Sequence, residues 1–142
     1  MEKIRDIMSS NVISVSSNQT VQEAAQLMRQ HNIGALPVID NGQLKGMVTD
    51  RDITLRTTAQ GKNEDTTVGQ VMSTNLVSGR PEMSVQEAAE LMAQNQIRRL
   101  PVVENNQVVG MVALGDLATN SMSNESAGEA LTDISEKDLD SF

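Results

Sequence analysis

The chain contains one sequence pattern twice, and this duplication constrains its fold more than any other feature. The stretch "TVQEAAQLMRQHNIGALPVIDNGQLKGMV" from Thr20 recurs as "SVQEAAELMAQNQIRRLPVVENNQVVGMV" from Ser84. The offset is 64 residues without a gap, and about 22 of the 47 positions from Ile7 to Ile53 are identical in the two copies. A self-match of this length indicates an internal duplication, and two copies are too few for a long solenoid. The sequence therefore predicts a pseudo-symmetric pair of halves.

Each copy carries the signals of a small mixed α+β unit. The short apolar segments "NVISV" and "NLVSG" favour a strand. Thr20 and Ser84 then stand three residues before a glutamate, which is the spacing of a capping box at a helix start. Apolar residues at helical spacing follow, and two apolar runs around an Asn-Gly pair predict a hairpin. With a second helix beginning at Thr49 or near Ala113, the order is strand, helix, strand, strand, helix, with helices on one face of a short sheet.

We divide the chain into four segments. Residues 1–57 form the first repeat, 58–66 a polar linker, 67–120 the second repeat, and 121–142 an acidic tail that we expect to be flexible or weakly helical. The stretches "IRDIM" and "VGQVM" each predict a short helix that leads into a repeat. Neither half is large enough to bury much apolar area alone, so we expect the two to pack through their sheets.

The composition argues against several classes of protein. There is no Cys, so the chain forms no disulfide and has no thiol nucleophile. A net charge of −8 disfavours binding to nucleic acid, because acidic surfaces repel phosphodiester backbones. The absence of an 18-residue apolar run and of a signal-peptide pattern predicts a cytoplasmic protein without membrane attachment. His31 has no Cys or His partner and no catalytic motif is present, so we expect no metal site, no catalytic residue, no required cofactor and no enzyme activity.

The repeated residues also resemble a known family. Each copy has an apolar-Pro-Val-(Val/Ile)-acid strand, a turn, Gly-Met-Val and a trailing Asp, after an "IM" or "VM" lead-in and a "TVQEAAQLM"-type helix. This pattern resembles the CBS domain, named after cystathionine β-synthase, and two in tandem resemble a Bateman module. The resemblance covers about residues 3–119. It implies two β-α-β-β-α repeats packed through their sheets, with clefts that bind adenosine derivatives such as AMP, ADP, ATP or S-adenosylmethionine.

The resemblance further implies a regulatory module, not an enzyme, that forms a homodimer and signals to an unidentified protein partner. The alternative is a ligand-free dimerisation scaffold that uses the acidic tail as a docking segment. A departure from the family pattern in the second copy and the lack of an effector domain favour this alternative.

The stretch "GMVTDRD" from Gly46 matches the family's ribose motif in full: Gly, two apolar residues, Ser or Thr, two variable residues and Asp. A carboxylate can accept hydrogen bonds from two vicinal hydroxyls, so the resemblance assigns Thr49 and Asp52 to ribose. The same pair fits a capping box that bonds only to backbone, and both interpretations stay open here. The second copy keeps Asp116 but has Ala113, so its cleft is expected to bind ribose more weakly.

The resemblance assigns phosphate to Arg98 and Arg99, which could instead pair with surface acids such as Glu82 or Glu104. Each cleft takes residues from both repeats. The cleft of Thr49 and Asp52 would add Met47, Met72, Val77, Ile97 and Arg98. The cleft of Asp116 would add Met8, Ile13, Ile33, Gly34 and Met111, with Arg98 and Arg99. Without Trp or Tyr, the grip on adenine would come from dispersion against these aliphatic walls.

Overall fold

The computed structural model describes residues 2–119, so the predicted tail at 121–142 lies outside the described part of the chain. Its helices and strands repeat with the duplication, and the predicted α+β fold is confirmed. The helices are α1 (Val21–His31), α2 (Asp50–Arg56), α3 (Val68–Val71), α4 (Val85–Asn95) and α5 (Leu114–Ala118). The strands are β1 (Ala35–Asp40), β2 (Gln43–Thr49), β3 (Arg99–Glu104) and β4 (Gln107–Ala113). Short 3₁₀ turns lie at Ile4–Asp6 and Thr58–Gln60.

The long helices begin where the capping pattern predicts. The Glu23 amide donates to the Thr20 hydroxyl oxygen at 3.2 Å. Ser84 and Glu87 form the full reciprocal box, because each side chain accepts from the other residue's amide, at 3.1 and 3.3 Å. These bonds satisfy amides that have no partner inside the helix. Each helix then ends at a residue in the left-handed conformation, Asn32 or Gln96.

The predicted hairpins are confirmed. Strands β1 and β2 pair antiparallel, with Ala35 opposite Thr49 and Asp40 opposite Gln43. The connecting residues Asn41 and Gly42 both have positive φ, 55° and 81°, which is the geometry that a tight two-residue turn requires. Strands β3 and β4 pair likewise, and Asn105 and Asn106 take the positive φ values in their turn.

The prediction that each repeat begins with a full strand is wrong, because each of these segments forms only one parallel β-bridge. Val15 makes one parallel bridge to Val38, and Gly79 makes the equivalent bridge to Val102. In the first copy, the ladder stops because the amides of Ser16 and Ser17 donate to side-chain oxygens. In the second copy, the proline that follows Gly79 and Arg80 has no amide to donate.

The structure consists of two compact units that differ from the sequence repeats. Of the described residues, one unit combines residues 2–12 with Val77–Asn105 and residues 109–119. The other combines Ile13–Leu76 with Asn106–Val108. Each unit therefore contains the lead-in segment that precedes the other repeat. The predicted segment boundaries follow the sequence period, whereas the units follow spatial packing.

Each unit has its own aliphatic core, and each core includes residues from a lead-in. Ile4 is fully buried among residues of α4, β3, β4 and α5. Val68 and Val71 of α3 are fully buried among residues of α1, β1 and β2. Burying a side chain of this size contributes roughly 1.5–3 kcal/mol, so the lead-ins are integral parts of the cores.

Short antiparallel bridges fix each lead-in to a hairpin. Ser73 and Met47 exchange two backbone hydrogen bonds of 2.8 and 3.0 Å. Ser9 and Met111 exchange two of 2.9 Å in the other unit. The close approach depends on the glycine that precedes each methionine in the strand. A Cβ added at Gly46 would lie 2.6 Å from the Ser73 carbonyl oxygen, so any side chain there would force this backbone to shift.

Candidate functional site

The ribose motif of the first repeat forms a capping box at the start of α2. The Asp52 amide donates to Thr49 Oγ1 at 3.0 Å, and the Thr49 amide donates to Asp52 Oδ2 at 3.0 Å. Both side chains are half-buried. Capping uses Oδ2 of the carboxylate and one lone pair of the hydroxyl. Oδ1 of Asp52 and the hydroxyl hydrogen of Thr49 make no hydrogen bond with the described residues, so they could serve a ligand.

The structure places part of the predicted cleft wall in the same compact unit as this motif. Met47 lies two residues before Thr49 on β2, and the Met72 sulfur would be 2.9 Å from a Cβ at Gly46. Met72 reaches this place because its lead-in belongs to the unit of the first repeat. The remaining residues predicted for this cleft, Val77, Ile97 and Arg98, belong to the other unit.

Arg56 is a residue near this site that sequence reasoning missed. Its guanidinium Nη1 donates to the carbonyl oxygens of Val71 and Met72, at 3.1 and 3.4 Å. The last turn of α2 is thereby fixed to the segment that carries Met72. A basic residue at a helix end was the available signal, but its partners lie 15 and 16 residues away along the chain.

The second copy of the motif keeps half of the capping geometry. The Ala113 amide donates to Asp116 Oδ2 at 3.1 Å, but Ala113 has no hydroxyl to accept in return. Met111 is 7% exposed, and the Met8 sulfur would be 2.5 Å from a Cβ at Gly110. Asp116 itself is exposed.

Both candidate phosphate-binding arginines lie in the unit of Asp116. Arg98 is exposed, and its carbonyl oxygen accepts from the Leu114 amide at 2.8 Å. Arg99 is the first residue of β3 and is half-buried. The other residues predicted for this cleft, Ile13, Ile33 and Gly34, belong to the unit of the first repeat.

Outside the candidate site, Asp40 and Ser17 form a polar contact that has no counterpart in the second copy. The Ser17 hydroxyl donates to Asp40 Oδ2 at 2.6 Å, and the Ser17 amide donates to Oδ1 at 3.0 Å. These bonds stabilise the carboxylate and lower the pKa of Asp40 below its ordinary value. The contact fixes the end of β1 to the loop before α1. The second copy has Pro81 and Glu104 at the corresponding positions.

Among residues 2–119, no three His, Asp or Glu side chains are grouped closely enough to hold a metal ion. Within the same range, no helix is long and apolar enough to cross a bilayer.

The chain belongs to the CBS domain family. The family profile matches twice, at residues 4–56 and 68–123, in agreement with the duplication and with the repeated hairpin and helix. Among its relatives, the CBS domain-containing protein YhcV of Bacillus subtilis (strain 168) is 63% identical over 139 residues, covering 98% of this chain and 99% of that protein.

Solved structures show the same fold. Hypoxic Response Protein I, solved with two coordinated zinc ions, is 39% identical with a TM-score of 0.76, and the match covers 82% of this chain and 97% of that one. The CBS domain pair of protein MJ0100 was solved in complex with 5′-methylthioadenosine and S-adenosyl-L-methionine. It is 30% identical with a TM-score of 0.73, and the match covers 91% of this chain and 98% of that one.

Proposed function

We propose that this chain is a non-catalytic, cytoplasmic regulatory module that binds an adenosine derivative and signals the bound state to a partner protein. Its membership of the CBS domain family and its similarity to the ligand-bound MJ0100 pair support this function. The ligand would act by population shift, because binding favours whichever arrangement of the module contacts it best.

The geometry of Thr49 and Asp52 carries the proposal. Their capping bonds hold both side chains in place and leave Asp52 Oδ1 and the Thr49 hydroxyl hydrogen for a ligand. Two vicinal ribose hydroxyls are donors that a carboxylate oxygen can accept, and such charge-assisted bonds are stronger than neutral ones. The capping box therefore holds both side chains in a fixed position for ribose. Capping and ribose binding use different atoms of Asp52 and Thr49, so one does not prevent the other.

The other members of the site follow from the same comparison. Met47 and Met72 offer polarizable side chains for an adenine face. Arg98 and Arg99 would meet phosphate oxygens where the ligand has them. Asp116 offers a second, weaker ribose site, because Ala113 supplies no hydroxyl.

The test is calorimetry with AMP, ADP, ATP and S-adenosylmethionine on the wild type and on Asp52→Asn. The asparagine oxygen can still accept from the Thr49 amide, so the cap persists while the charge is lost. We expect affinity to fall about 10- to 150-fold, as for the loss of a charge-assisted bond of about 1.5–3 kcal/mol. Asp116→Asn is the matched control and should change affinity less. Absence of heat and of thermal shift with all four ligands, or unchanged affinity in Asp52→Asn, contradicts the proposal.

A dimerisation scaffold is the second candidate, and exposed leucines favour it. None of the residues of α2 is buried, and Leu55 on this helix is 46% exposed. Leu76 is 47% exposed in the same unit. If nucleotides change nothing while deletion of residues 120–142 abolishes binding of a purified partner, the scaffold function is the correct one.

A further inference from the structure

A surface cavity of about 320 Å³, widely open to solvent, lies between the end of α1 and the start of α2 in the unit of the first repeat. This volume is at the lower end of the range of about 300–1,000 Å³ for small-ligand sites. Met28, which is 7% exposed, and the half-buried Ile33 provide an apolar surface. Ile33 and Gly34 were also predicted as walls of the adenosine cleft, but the other residues belong to no predicted site. The lining residues are Met28, Arg29, Asn32, Ile33, Gly34 and Asp50.

The three polar side chains at this cavity, Arg29, Asn32 and Asp50, are exposed to solvent, and only Asp50 bonds to the described residues. Asp50 Oδ1 accepts from the Arg51 amide at 2.8 Å, whereas Oδ2 makes no hydrogen bond with residues 2–119. A Cβ at Gly34 would lie 3.2 Å from Oδ2, so the carboxylate lies closely over that glycine. The Arg29 guanidinium and the Asn32 carboxamide also form no hydrogen bond or ion pair with the described residues. The cavity thus presents one cation, one anion and one amide, and each can form further hydrogen bonds with a ligand.

The duplication shows that the fold does not need these charges. At the position of Arg29 the second copy has Ala93, and at the position of Asp50 it has Leu114. Leu114 is 5% exposed and packs in the core of its unit. The same helix, hairpin and helix form with apolar residues at both positions. The two charges are therefore specific to the first copy, and the repeat can form without charges at the equivalent positions.

We propose that this cavity binds a free α-amino acid with an apolar side chain. The ligand carboxylate would pair with Arg29, its ammonium group with Asp50 Oδ2, and its side chain with Met28 and Ile33. A phosphate or simple carboxylate would meet the Asp50 charge, and a simple amine would leave Arg29 without a counter-charge. A zwitterion satisfies both groups at once. Its two charged groups, Arg29 and Asp50, belong to no predicted nucleotide cleft, whereas Ile33 and Gly34 are shared with the predicted cleft of Asp116.

L-leucine is the probe, titrated into the full ¹⁵N-labelled chain with amide shifts as the readout. We expect saturable shifts at the lining residues, with a Kd at or below about 1 mM. N-acetyl-L-leucine lacks the ammonium group and isoamylamine lacks the carboxylate, so each should bind at least about tenfold more weakly if both charges are recognised. Equal binding of either analogue would overturn the proposal, as would the absence of saturable shifts.

Two variants place the residues of the second copy at the equivalent positions of the first copy. Arg29→Ala and Asp50→Leu should each fold and should each weaken L-leucine binding at least about tenfold. Arg80→Ala and Asp65→Leu, exposed charges elsewhere, are the controls and should leave L-leucine binding unchanged. Full retention of binding in Arg29→Ala or Asp50→Leu contradicts the assignment. AMP titration of Arg29→Ala separates the two sites, because its nucleotide affinity should equal that of the wild type.

Discussion

The contact between Gly46 and the lead-in of the second repeat allows a quantitative test of the packing. In Gly46→Ala, the new Cβ would lie 2.6 Å from the Ser73 carbonyl oxygen and 2.9 Å from the Met72 sulfur. The nearer atom is backbone, and Ser73 is held to Met47 by two hydrogen bonds, so it cannot move without breaking them. Overpacking of this kind costs about 1–3 kcal/mol. At roughly 3 °C per kcal/mol for a chain of this size, the melting temperature should fall by about 3–9 °C.

Gly110→Ala is the matched variant in the other unit. Its nearest atom is the Met8 sulfur, at 2.5 Å, and the nearest backbone atom is the Ser9 carbonyl oxygen, at 3.1 Å. A flexible side chain can move aside, so we expect a cost near the lower limit of about 1 kcal/mol. The penalty of each glycine-to-alanine change should also depend differently on the neighbouring methionine. Met8→Ala should relieve much of the Gly110→Ala penalty, whereas Met72→Ala should leave the Gly46→Ala penalty largely intact, because the Ser73 oxygen remains.

Urea unfolding followed by circular dichroism measures these differences, since the chain has no Trp or Tyr for fluorescence. Gly115→Ala is the control, because no described atom beyond its chain neighbours and its own helix backbone lies within 4 Å of the added Cβ. As a helical glycine-to-alanine change, it should stabilise by up to about 1 kcal/mol. The reasoning is refuted if Gly46→Ala is as stable as the wild type, or if Met72→Ala rescues it as fully as Met8→Ala rescues Gly110→Ala.

Two further predictions concern the cap and the acid stability. Ala113→Thr restores the hydroxyl of the first copy and should raise the free energy of unfolding in urea by about 0.5–2 kcal/mol. Thr49→Ala should lower it by a similar amount. If Ala113→Thr gives no gain, the start of α5 cannot use a side-chain cap. Ser17→Ala removes the main cause of the lowered pKa of Asp40, whose ordinary value is 3.8. A lowered folded pKa stabilises the fold above the unfolded value and loses that effect as pH falls through the folded one. The stability difference between wild type and Ser17→Ala should therefore be full above about pH 5 and shrink below 3.8, and a difference independent of pH would contradict this cause.

The features of the fold that depend on residues close together in the sequence were predicted correctly. The capping boxes at Thr20 and Ser84 join residues three apart, and the turn at Asn41 depends on two adjacent residues that tolerate positive φ. The extent of the first strand was missed, because the Ser17 amide donates to Asp40, which is 23 residues away in the sequence. A pattern of apolar residues carries no information about such a partner.

In the candidate site, too, local features could be predicted from the sequence and long-range contacts could not. Thr49 and Asp52 could be found because their spacing is local, and the structure confirms the capping geometry that the spacing predicts. The bonds of Arg56 to the Val71 and Met72 carbonyls could not be found, because they depend on how α2 meets the lead-in. The position of Asp50 over Gly34 is likewise a product of folding, since the two residues are distant in sequence.

The exchange of lead-ins between the repeats also has a consequence for how such a fold can assemble. A chain with one repeat that folded in this way would have needed Ile4, or Val68 and Val71, from a second molecule to fill its core. Two identical chains of this kind would form an obligate pair by exchanging their N-terminal segments. Joining both repeats in one polypeptide makes this contact intramolecular, so it does not depend on protein concentration. Two repeats in one chain also need not be identical, and here Thr49 and Asp50 in one copy stand where the other has Ala113 and Leu114.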